Sequence, residues 1–207
     1  FNLVKIKYEI IFVDDNSPDN SRKILNELRK KYKFFKPIFR NKKRDLSQSC
    51  FEGIEKAKYE NILIMDGDLQ HNPKYIKRML VELSKKKLDV VIGARKLLSG
   101  KNKGLSELRR FASIILIHFF KIFRINTNDP MSGFFLFKKK IYFSNKKNFY
   151  GKGFKILADI LINSKTDLKT KDVFIKFERR YDSQSKMNYK ILYILIKFYL
   201  FSLFKNI

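Results

Sequence analysis

The sequence predicts an α/β fold with a mostly parallel sheet and helices on both faces. Short apolar runs rich in β-branched and aromatic residues alternate with segments in which apolar residues recur at helical spacing. Strands that are apolar throughout are typical of parallel sheets, because helices cover both faces of such sheets. With 207 residues and 44% hydrophobic content, the chain is long enough for one domain with a substantial core.

The elements of this fold can be placed in order along the first half of the chain. Strands are predicted at residues 9–13, 37–39, 61–65 and 89–92. Helices are predicted after Ser21, after Ser47 and from Pro73, which suits a first turn because proline has no N–H to leave unpaired there. Crossovers between parallel strands are right-handed, so the carboxyl ends of the strands lie at one edge of the sheet.

Polar and charged residues follow three of the four strands. Asp14 and Asp15 follow the first strand, residues 66–70 follow the third, and Arg95 comes shortly after the fourth. Ligands of open α/β sheets bind outside the carboxyl ends of the strands. The sequence therefore predicts a ligand site at this edge, formed by two acidic clusters and an arginine.

The acidic segment after the third strand reads Asp66-Gly67-Asp68 and is a candidate metal site. Two carboxylates, with the Gln70 amide as another oxygen ligand, can hold Mg²⁺ or Mn²⁺ and leave positions open for phosphate oxygens. An Asp-x-Asp triplet alone is usually a solvated turn, but its place after an apolar strand favours a metal site. A lone loop histidine such as His71, next to it, is more often structural than catalytic.

The first acidic cluster has two interpretations. Asp15 can accept hydrogen bonds from a nucleobase or a ribose, as an acidic residue after a strand does in dinucleotide-binding folds. Alternatively, Ser17 or Asp19 simply caps the helix that follows. No glycine-rich dinucleotide motif or phosphate loop is present, which disfavours an oxidoreductase or a nucleoside triphosphatase. The single cysteine, Cys50, excludes a disulfide scaffold.

Beyond Arg95 the alternation stops, and two apolar helices flanked by basic residues are predicted at residues 105–123 and 191–204. Both are short for a bilayer span, which takes about 20 apolar residues. Each is therefore either a core helix or a helix in the membrane interface. The net charge of +26 permits a polyanionic partner, namely nucleic acid, an anionic membrane or a phosphorylated substrate, but a Lys-rich composition explains it equally well. Residues 178–186 suit phosphate binding and equally fit a solvated basic loop.

Five motifs in order resemble those of family 2 glycosyltransferases and, within that family, the dolichol-phosphate mannose synthases. They lie at residues 9–21, 65–73, 92–95, 129–135 and 180–187 and cover nearly the whole chain. The resemblance implies a Rossmann-like GT-A fold over residues 1–187, with amphipathic interfacial helices. The family's opening strand, with its Pro-x-Tyr-Asn-Glu run, is not found in this sequence, which starts after it. If no residues precede Phe1 in the protein, the sheet is expected to lack a central strand.

The resemblance also implies an activity. This is metal-dependent, inverting transfer of mannose from GDP-mannose to dolichyl or polyprenyl phosphate, with Mg²⁺ or Mn²⁺ as the cofactor. Transfer of glucose from UDP-glucose is the nearest alternative, and a non-catalytic basic domain that binds a membrane or nucleic acid is the alternative from another class. Nucleic acid is not expected as a partner, because the aromatic residues lie in apolar helices and strands rather than among surface cations.

Site residues carry over from the family motifs position by position, in four groups. The groups are the nucleoside contacts Val13 and Asp15; the diphosphate and metal residues Asp66, Gly67, Asp68 and Gln70; the donor-phosphate residues Arg95, Arg180 and Lys186; and the acceptor-phosphate residues Arg109 and Ser113. Asp68 and Gln70 are implied as direct metal ligands, with Asp66 as a further candidate. Asp68, Arg95 and Arg180 are implied as the residues that act in catalysis.

The resemblance places the protein at the cytoplasmic face of a membrane. Residues 188–207 are expected to form an apolar C-terminal helix that lies in the membrane interface or starts a membrane segment, so attachment would be peripheral or C-terminal. Two positions depart from the family pattern. Asp45 stands where Gly-Leu is common before Leu46, and Ser183 stands where the closing loop usually has glycine.

Overall fold

The computed structural model describes residues 6–85, 87–95, 120, 123, 125–153, 155–176 and 189–206. The strands are β1 (Ile10–Asp14), β2 (Phe35–Phe39), β3 (Asn61–Met65), β4 (Val90–Ala94), β5 (Phe134–Lys138) and β6 (Thr170–Phe174). The helices are α1 (Ser21–Lys31), α2 (Leu46–Lys56), α3 (Ile76–Lys85), α4 (Lys139–Asn145), α5 (Ile156–Asn163) and α6 (Tyr189–Asn206). A 3₁₀ turn at Pro73–Tyr75 precedes α3.

The first half of the chain folds in the predicted order. The four predicted strands correspond to β1 to β4, and the three predicted helices correspond to α1 to α3. The C-terminal apolar helix is α6, whereas the helix predicted at 105–123 lies outside the described residues apart from positions 120 and 123. The sequence pattern does not predict the remaining elements, which follow Arg95, where the alternation stops. These are strands β5 and β6 and helices α4 and α5.

The described strands form two sheets. Strands β1 and β2 pair in parallel, with Val13 opposite Ile38. The second sheet has the strand order β3-β5-β4-β6. Strand β5 runs antiparallel to β3 and β4, and β6 runs parallel to β4. Strands β3, β4 and β6 therefore share one direction, and the carboxyl ends of β3 and β4 lie at the same edge.

Apolar clusters cover both faces of the four-stranded sheet. Val90, Ile92 and Phe137 lie in a cluster with residues of α2, α4 and α5, and each is fully buried. Val91 and Leu136 lie in a second cluster with residues of α3. Neighbouring residues of one strand contribute to different clusters because successive side chains of a strand point to opposite faces. This confirms the predicted sheet with helices on both sides.

Helix α2 connects the two sheets. Ile54 packs with Ile62 of β3 in the first core cluster. On the other side, Gly53 lies against β1, since a Cβ at this position would be 3.1 Å from Val13 Cγ2. The position of β1 relative to the larger sheet therefore depends on α2.

Helix α6 packs one face on α5 and exposes the other. Phe198, which is 2% exposed, clusters with Ala158 and Ile162. The opposite side carries exposed apolar residues, namely Tyr193, Ile196, Leu200 and Phe204. Of the helices in the described ranges, none combines the length and the apolar character that crossing a bilayer requires. Contact of the exposed face with a membrane interface stays a prediction.

Candidate functional site

The loops after β1, β3 and β4 lie close enough for their charges to interact. Asp66 follows β3 and Arg95 follows β4, and the charge of Asp66 helps to raise the pKa of Arg95. Burial raises the pKa of Cys50 in α2 to about 12, and the charges of Asp66, Asp15 and Asp45 add to this effect. The structure thus brings the two predicted acidic clusters and the predicted arginine to one side of the molecule.

Asp66 lies directly against Gly133, which precedes β5. The Asp66 N–H donates to the Gly133 carbonyl oxygen at 3.2 Å. A Cβ at Gly133 would overlap the Asp66 carboxylate, so only glycine leaves room for this side chain. The close approach gives a physical reason for glycine in the 129–135 motif.

The oxygen ligands predicted for a metal belong to one short loop. Asp66, Asp68 and Gln70 are each partly buried, and a cleft of about 200 Å³ has Asp66, Leu69 and His71 among its lining residues. The Gln70 N–H donates to Asp68 Oδ1 at 3.2 Å. Leu69 has φ = 63°, a left-handed conformation that is uncommon for leucine and turns the loop sharply.

This donor set fits a hard divalent cation. Carboxylate and amide oxygens are the ligand types that Mg²⁺ and Mn²⁺ take, and one short loop leaves coordination positions for phosphate oxygens. Among the described residues, no group of three His, Cys, Asp or Glu side chains could hold a metal by itself. A cation bound by Asp68 and Gln70 would therefore complete its coordination with substrate oxygens or water.

His71 is a buried residue of this loop. It is 5% exposed, and its ring stacks on Phe134 with centroids 5.2 Å apart. Burial lowers the pKa of His71, the nearby Arg95 charge acts in the same direction, and Asp68 and Asp129 oppose this shift. A neutral ring packed on the core is consistent with the structural interpretation of this histidine.

Arg95 forms a bidentate ion pair with Asp129. Its Nε lies 2.7 Å from Asp129 Oδ2 and its Nη2 lies 3.0 Å from Oδ1. Asp129 is fully buried, whereas the Arg95 side chain is 36% exposed. Burial alone would lower the pKa of Arg95, but the Asp129 hydrogen bonds and the charges of Asp129 and Asp66 raise it. The guanidinium predicted to bind phosphate is therefore fixed by Asp129, while about a third of the Arg95 side chain remains exposed.

Asp15, the predicted nucleoside contact, is held by a polar network. Its Oδ1 pairs with Arg40 Nη1, and its Oδ2 accepts from the Asp45 N–H at 2.6 Å. The Arg40 side chain is only 2% exposed and also pairs with Glu52 Oε1 at 3.0 Å. Asp15 keeps 23% of its side chain exposed. The network orients this carboxylate while leaving part of it accessible.

The other residues of this region have local roles. Val13 is partly buried against α2. Asp14 is buried and its Oδ1 accepts from the Ser17 N–H at 3.3 Å. The alternative in which Asp19 or Ser17 caps α1 is wrong in detail, because Asn20 is the N-cap and makes no side-chain cap hydrogen bond. Asp19 instead accepts from the Ser21 N–H at 3.0 Å.

Asp45, one of the two departures from the family pattern, has a structural function. It is the N-cap of α2, and its Oδ1 accepts from the Gln48 N–H at 3.1 Å. Its Oδ2 accepts from the Gly153 N–H at 2.8 Å. The substitution thus ties α2 to the segment that leads into α5.

Four predicted site residues, Arg109, Ser113, Arg180 and Lys186, lie outside the described residues, as does Ser183. The structure also adds Arg40 and Asp129 to the surroundings of the site, through their ion pairs with Asp15 and Arg95. Burial lowers the pKa of Lys155 to about 7, the charge of Arg95 acts in the same direction, and Asp129 opposes the shift. Asp129 had a signal in the sequence, since it opens the 129–135 motif. Arg40 and Lys155 had none, because a single cation is not distinctive in a chain with 46 Lys and Arg residues.

Comparison with known proteins places the chain among glycosyltransferases. It is 35% identical to the dolichol-phosphate mannosyltransferase of Pyrococcus furiosus, over 91% of this chain and 53% of that protein. It is 31% identical to the enzyme of the same name from Mycosarcoma maydis, over 89% of this chain and 63% of that protein. The chain thus spans between half and two thirds of the length of these relatives.

Solved structures give the same fold at lower identity. Glucosyl-3-phosphoglycerate synthase from Mycobacterium tuberculosis, in complex with Mn²⁺, UDP and glucosyl-3-phosphoglycerate, superposes with a TM-score of 0.64 at 14% identity. The match covers 94% of this chain and 67% of that one. The architecture is therefore GT-A-like, an α/β fold around a mostly parallel sheet. Residues 2–144 match the family described as glycosyl transferase family 2, and this chain belongs to that family.

Proposed function

We propose that this chain is the catalytic part of a metal-dependent, inverting glycosyltransferase that moves mannose from GDP-mannose to dolichyl or polyprenyl phosphate. The observation that carries the proposal is the position of the Asp66–Asp68 loop beside the Arg95–Asp129 pair. Oxygen ligands for a divalent cation and a guanidinium for phosphate then lie together at the carboxyl edge of the sheet. The names of the relatives from Pyrococcus furiosus and Mycosarcoma maydis support the sugar and the lipid.

On the donor side, the proposal divides the site between the two sheets. Val13 and Asp15 at the end of β1 contact the nucleoside. Asp66, Asp68 and Gln70 hold the diphosphate and the metal after β3. When bound, Mg²⁺ or Mn²⁺ supplies positive charge that stabilises the departing nucleoside diphosphate. Gly67 lies between the two carboxylates and belongs to the same diphosphate-binding loop.

Arg95, Arg180 and Lys186 bind donor phosphates, and Arg109 and Ser113 receive the acceptor phosphate. A phosphate monoester is already ionised near neutral pH, so its oxygen attacks without a strong base. Catalysis then depends on in-line positioning and on neutralisation of charge by cationic side chains. Direct displacement inverts the anomeric carbon, so an α-linked donor gives a β-linked lipid phosphate.

The proposal includes a membrane surface on the cytoplasmic side as a partner. The exposed face of α6 presents Tyr193, Ile196, Leu200 and Phe204, with Lys197 beside Tyr193 at 4.6 Å from its ring centroid. Apolar side chains flanked by cations suit the interface of an anionic bilayer.

UDP-glucose is the second candidate donor. It is favoured by one observation, the fold similarity to a synthase that has been solved with Mn²⁺ and UDP-glucose. The nucleoside contacts would distinguish the two donors, and Val13 and Asp15 are the proposed nucleoside contacts that lie among the described residues.

A transfer assay tests the proposal. The chain is incubated in membranes with radiolabelled GDP-mannose or UDP-glucose and a polyprenyl phosphate, with and without Mn²⁺ or Mg²⁺. We expect label to enter the lipid phase from GDP-mannose only, and only with metal. Label from UDP-glucose instead would replace the donor, and no label from either would overturn the proposed activity for this chain.

Arg109→Ala tests the acceptor assignment. We expect the KM for polyprenyl phosphate to rise about tenfold while the KM for the sugar nucleotide is nearly unchanged, because one charged hydrogen bond to phosphate is removed. The neighbouring Arg110→Ala is the matched control. Equal losses for both substrates would contradict a role in acceptor binding.

A further inference from the structure

The geometry of Arg95 depends on the segment that carries Asp129. This segment, residues 126–129, comes before β5 in the chain. The fully buried Asp129 carboxylate accepts from Arg95 Nε at 2.7 Å and from Nη2 at 3.0 Å. It also accepts from the Arg95 backbone N–H at 3.2 Å. Three donors of one residue meet this carboxylate, so the direction of the guanidinium follows from where the segment places Asp129.

Asp172 of β6 binds the same segment through three hydrogen bonds. Its Oδ1 accepts from the Thr127 hydroxyl at 2.6 Å. Its Oδ2 accepts from the Asn128 N–H at 2.8 Å and from the Asn128 side-chain amide at 2.7 Å. Hydrogen bonds to an ionised acceptor are stronger than those between neutral groups. The partly buried Asp172 carboxylate therefore anchors the two residues that come directly before Asp129.

The Thr127 hydroxyl connects Asp172 to Asp129. A hydroxyl group can donate one hydrogen bond and accept others at the same time. Thr127 Oγ1, which donates to Asp172, also accepts from the Asp129 N–H at 3.2 Å. The contacts thus form one continuous path from Asp172 through Thr127 and Asp129 to the Arg95 guanidinium.

Strand β6 gives this path a fixed starting point. It pairs in parallel with β4, and Asp172 lies opposite Ile92. The next residue, Val173, is 1% exposed and lies in the core cluster that includes residues of α3. Thr170 lies on the same side of the strand as Asp172, and its hydroxyl donates to the Asn126 carbonyl oxygen at 2.9 Å. Two side chains of a strand that is fixed in the core therefore hold the 126–129 segment.

We propose that Asp172 is a positioning residue of the site, which acts through Thr127 and Asp129 to aim the Arg95 guanidinium at the donor diphosphate. The inference rests on the proposed function, because that function assigns the phosphate contact to Arg95. A guanidinium binds phosphate through a planar fork of N–H groups, so its orientation matters as well as its charge. Loss of Asp172 would leave Arg95 charged but misaligned, and nucleotide binding would weaken although no ligand contact is removed.

A double-mutant cycle tests this role by isothermal titration calorimetry of GDP with Mn²⁺, which measures affinity without turnover. Arg95→Met is expected to raise the Kd about tenfold, because a charged hydrogen bond to phosphate is lost. Asp172→Ala is expected to raise it about fivefold, since the guanidinium stays but loses its alignment. The double variant should bind no more weakly than Arg95→Met alone, because residues that act through one another are not additive.

Two further sets of variants separate positioning from stability. Thr127→Val removes the connecting hydroxyl at nearly the same side-chain shape and is expected to raise the Kd about fivefold, whereas Thr127→Ser keeps the hydroxyl and should bind as wild type. Asp89→Ala is the matched control. Asp89 is also partly buried, and its Oδ2 accepts from the Lys169 N–H at 3.0 Å, but it precedes β4 whereas Arg95 follows it. This control should lower the free energy of unfolding as Asp172→Ala does and leave the Kd unchanged.

Multiplicative losses in the double variant would overturn the inference, as would an unchanged Kd in Asp172→Ala or an equal loss in Asp89→Ala. If Asp172→Ala does not fold, the Thr127 pair decides, and equal Kd values for its valine and serine variants would refute the role. The two proposals fail separately. A chain that transfers mannose but shows no coupling between Asp172 and Arg95 keeps the proposed function and loses this inference. A chain that transfers no sugar but shows the coupling in GDP binding keeps the positioning role and refutes the reaction.

Discussion

The two sheets of this chain are held in place by different kinds of interaction. In the larger sheet, β4 is buried over its whole length and Phe137 of β5 has no exposed surface. In the smaller sheet, Ile10 and Phe12 of β1 are 44% and 41% exposed. The end of β1 is fixed instead by ion pairs around Arg40. The proposed phosphate half of the site thus rests on an apolar core, and the proposed nucleoside half rests on a polar network.

The largest contrast is expected between two phenylalanines. Phe137→Ala should lower the free energy of unfolding by about 3–5 kcal/mol, because it opens a cavity in a fully packed sheet. Phe12→Ala should cost less than about 1 kcal/mol, since much of that ring already contacts water. Urea denaturation followed by circular dichroism measures both values. Equal losses would show that β1 is held by apolar packing after all.

Arg40→Met is expected to have the next largest effect, a loss of about 2 kcal/mol in the free energy of unfolding. The variant leaves Asp15 and Glu52 without their buried guanidinium, and both carboxylates are exposed enough for water to reduce the penalty. Arg29→Met, on an exposed face of α1, is the matched control in the same denaturation experiment. A loss no larger than that of the control would show that the ion pairs of Arg40 do not stabilise the fold.

The same network predicts a pH dependence. Burial alone would raise the pKa of Glu52, but its hydrogen bonds to Arg40 and Lys42 lower it. A carboxylate with a lowered pKa stabilises the folded state above its unfolded pKa, and this contribution is lost as the pH falls through the folded value. Between pH 5 and pH 3, wild type should therefore lose more stability than Arg40→Met does. Parallel pH profiles for the two proteins would contradict the pairing.

Substitutions of two glycines of the site are expected to have the smallest effects of this series, and they test the position of the Asp66 carboxylate. Gly133→Ala should reduce sugar transfer about tenfold, because the new Cβ displaces the Asp66 carboxylate. Gly67→Ala should change the rate less than about twofold, since its Cβ would meet Phe12 only at an ordinary 3.8 Å. Initial rates of transfer at saturating metal compare the two. A larger loss at Gly67 than at Gly133 would contradict the position of Asp66.

The parts of the fold that could be predicted are those whose signal is local. Strands β1, β3 and β4 are apolar runs followed by polar residues, and this pattern also located the acidic loop and Arg95. Strand β5 was not placed, although it is apolar, because the alternation before it had stopped at Arg95. Strand β6 reads Thr-Lys-Asp-Val-Phe, a half-exposed pattern that has little hydrophobic signal.

The parts that could not be predicted depend on contacts between distant residues. Arg95 and Asp129 are paired across 34 positions, and the Asp45 contact with Gly153 spans 108. Neither pair has a spacing that a periodic pattern could reveal. The buried position of Arg40 was equally hidden, because burial of a cation follows from its partners and not from its own residue type.

The central claim is that the loop after β3 binds a metal required for sugar transfer, and a metal titration of wild type and Asp68→Ala tests it most directly. Each protein is treated with chelator and then assayed for transfer from labelled GDP-mannose to polyprenyl phosphate as Mn²⁺ is added. Wild-type activity should rise from background to a plateau, while Asp68→Ala should remain about a thousandfold lower with an unchanged unfolding curve. Equal plateaus in the two proteins would contradict the metal site and the mechanism built on it.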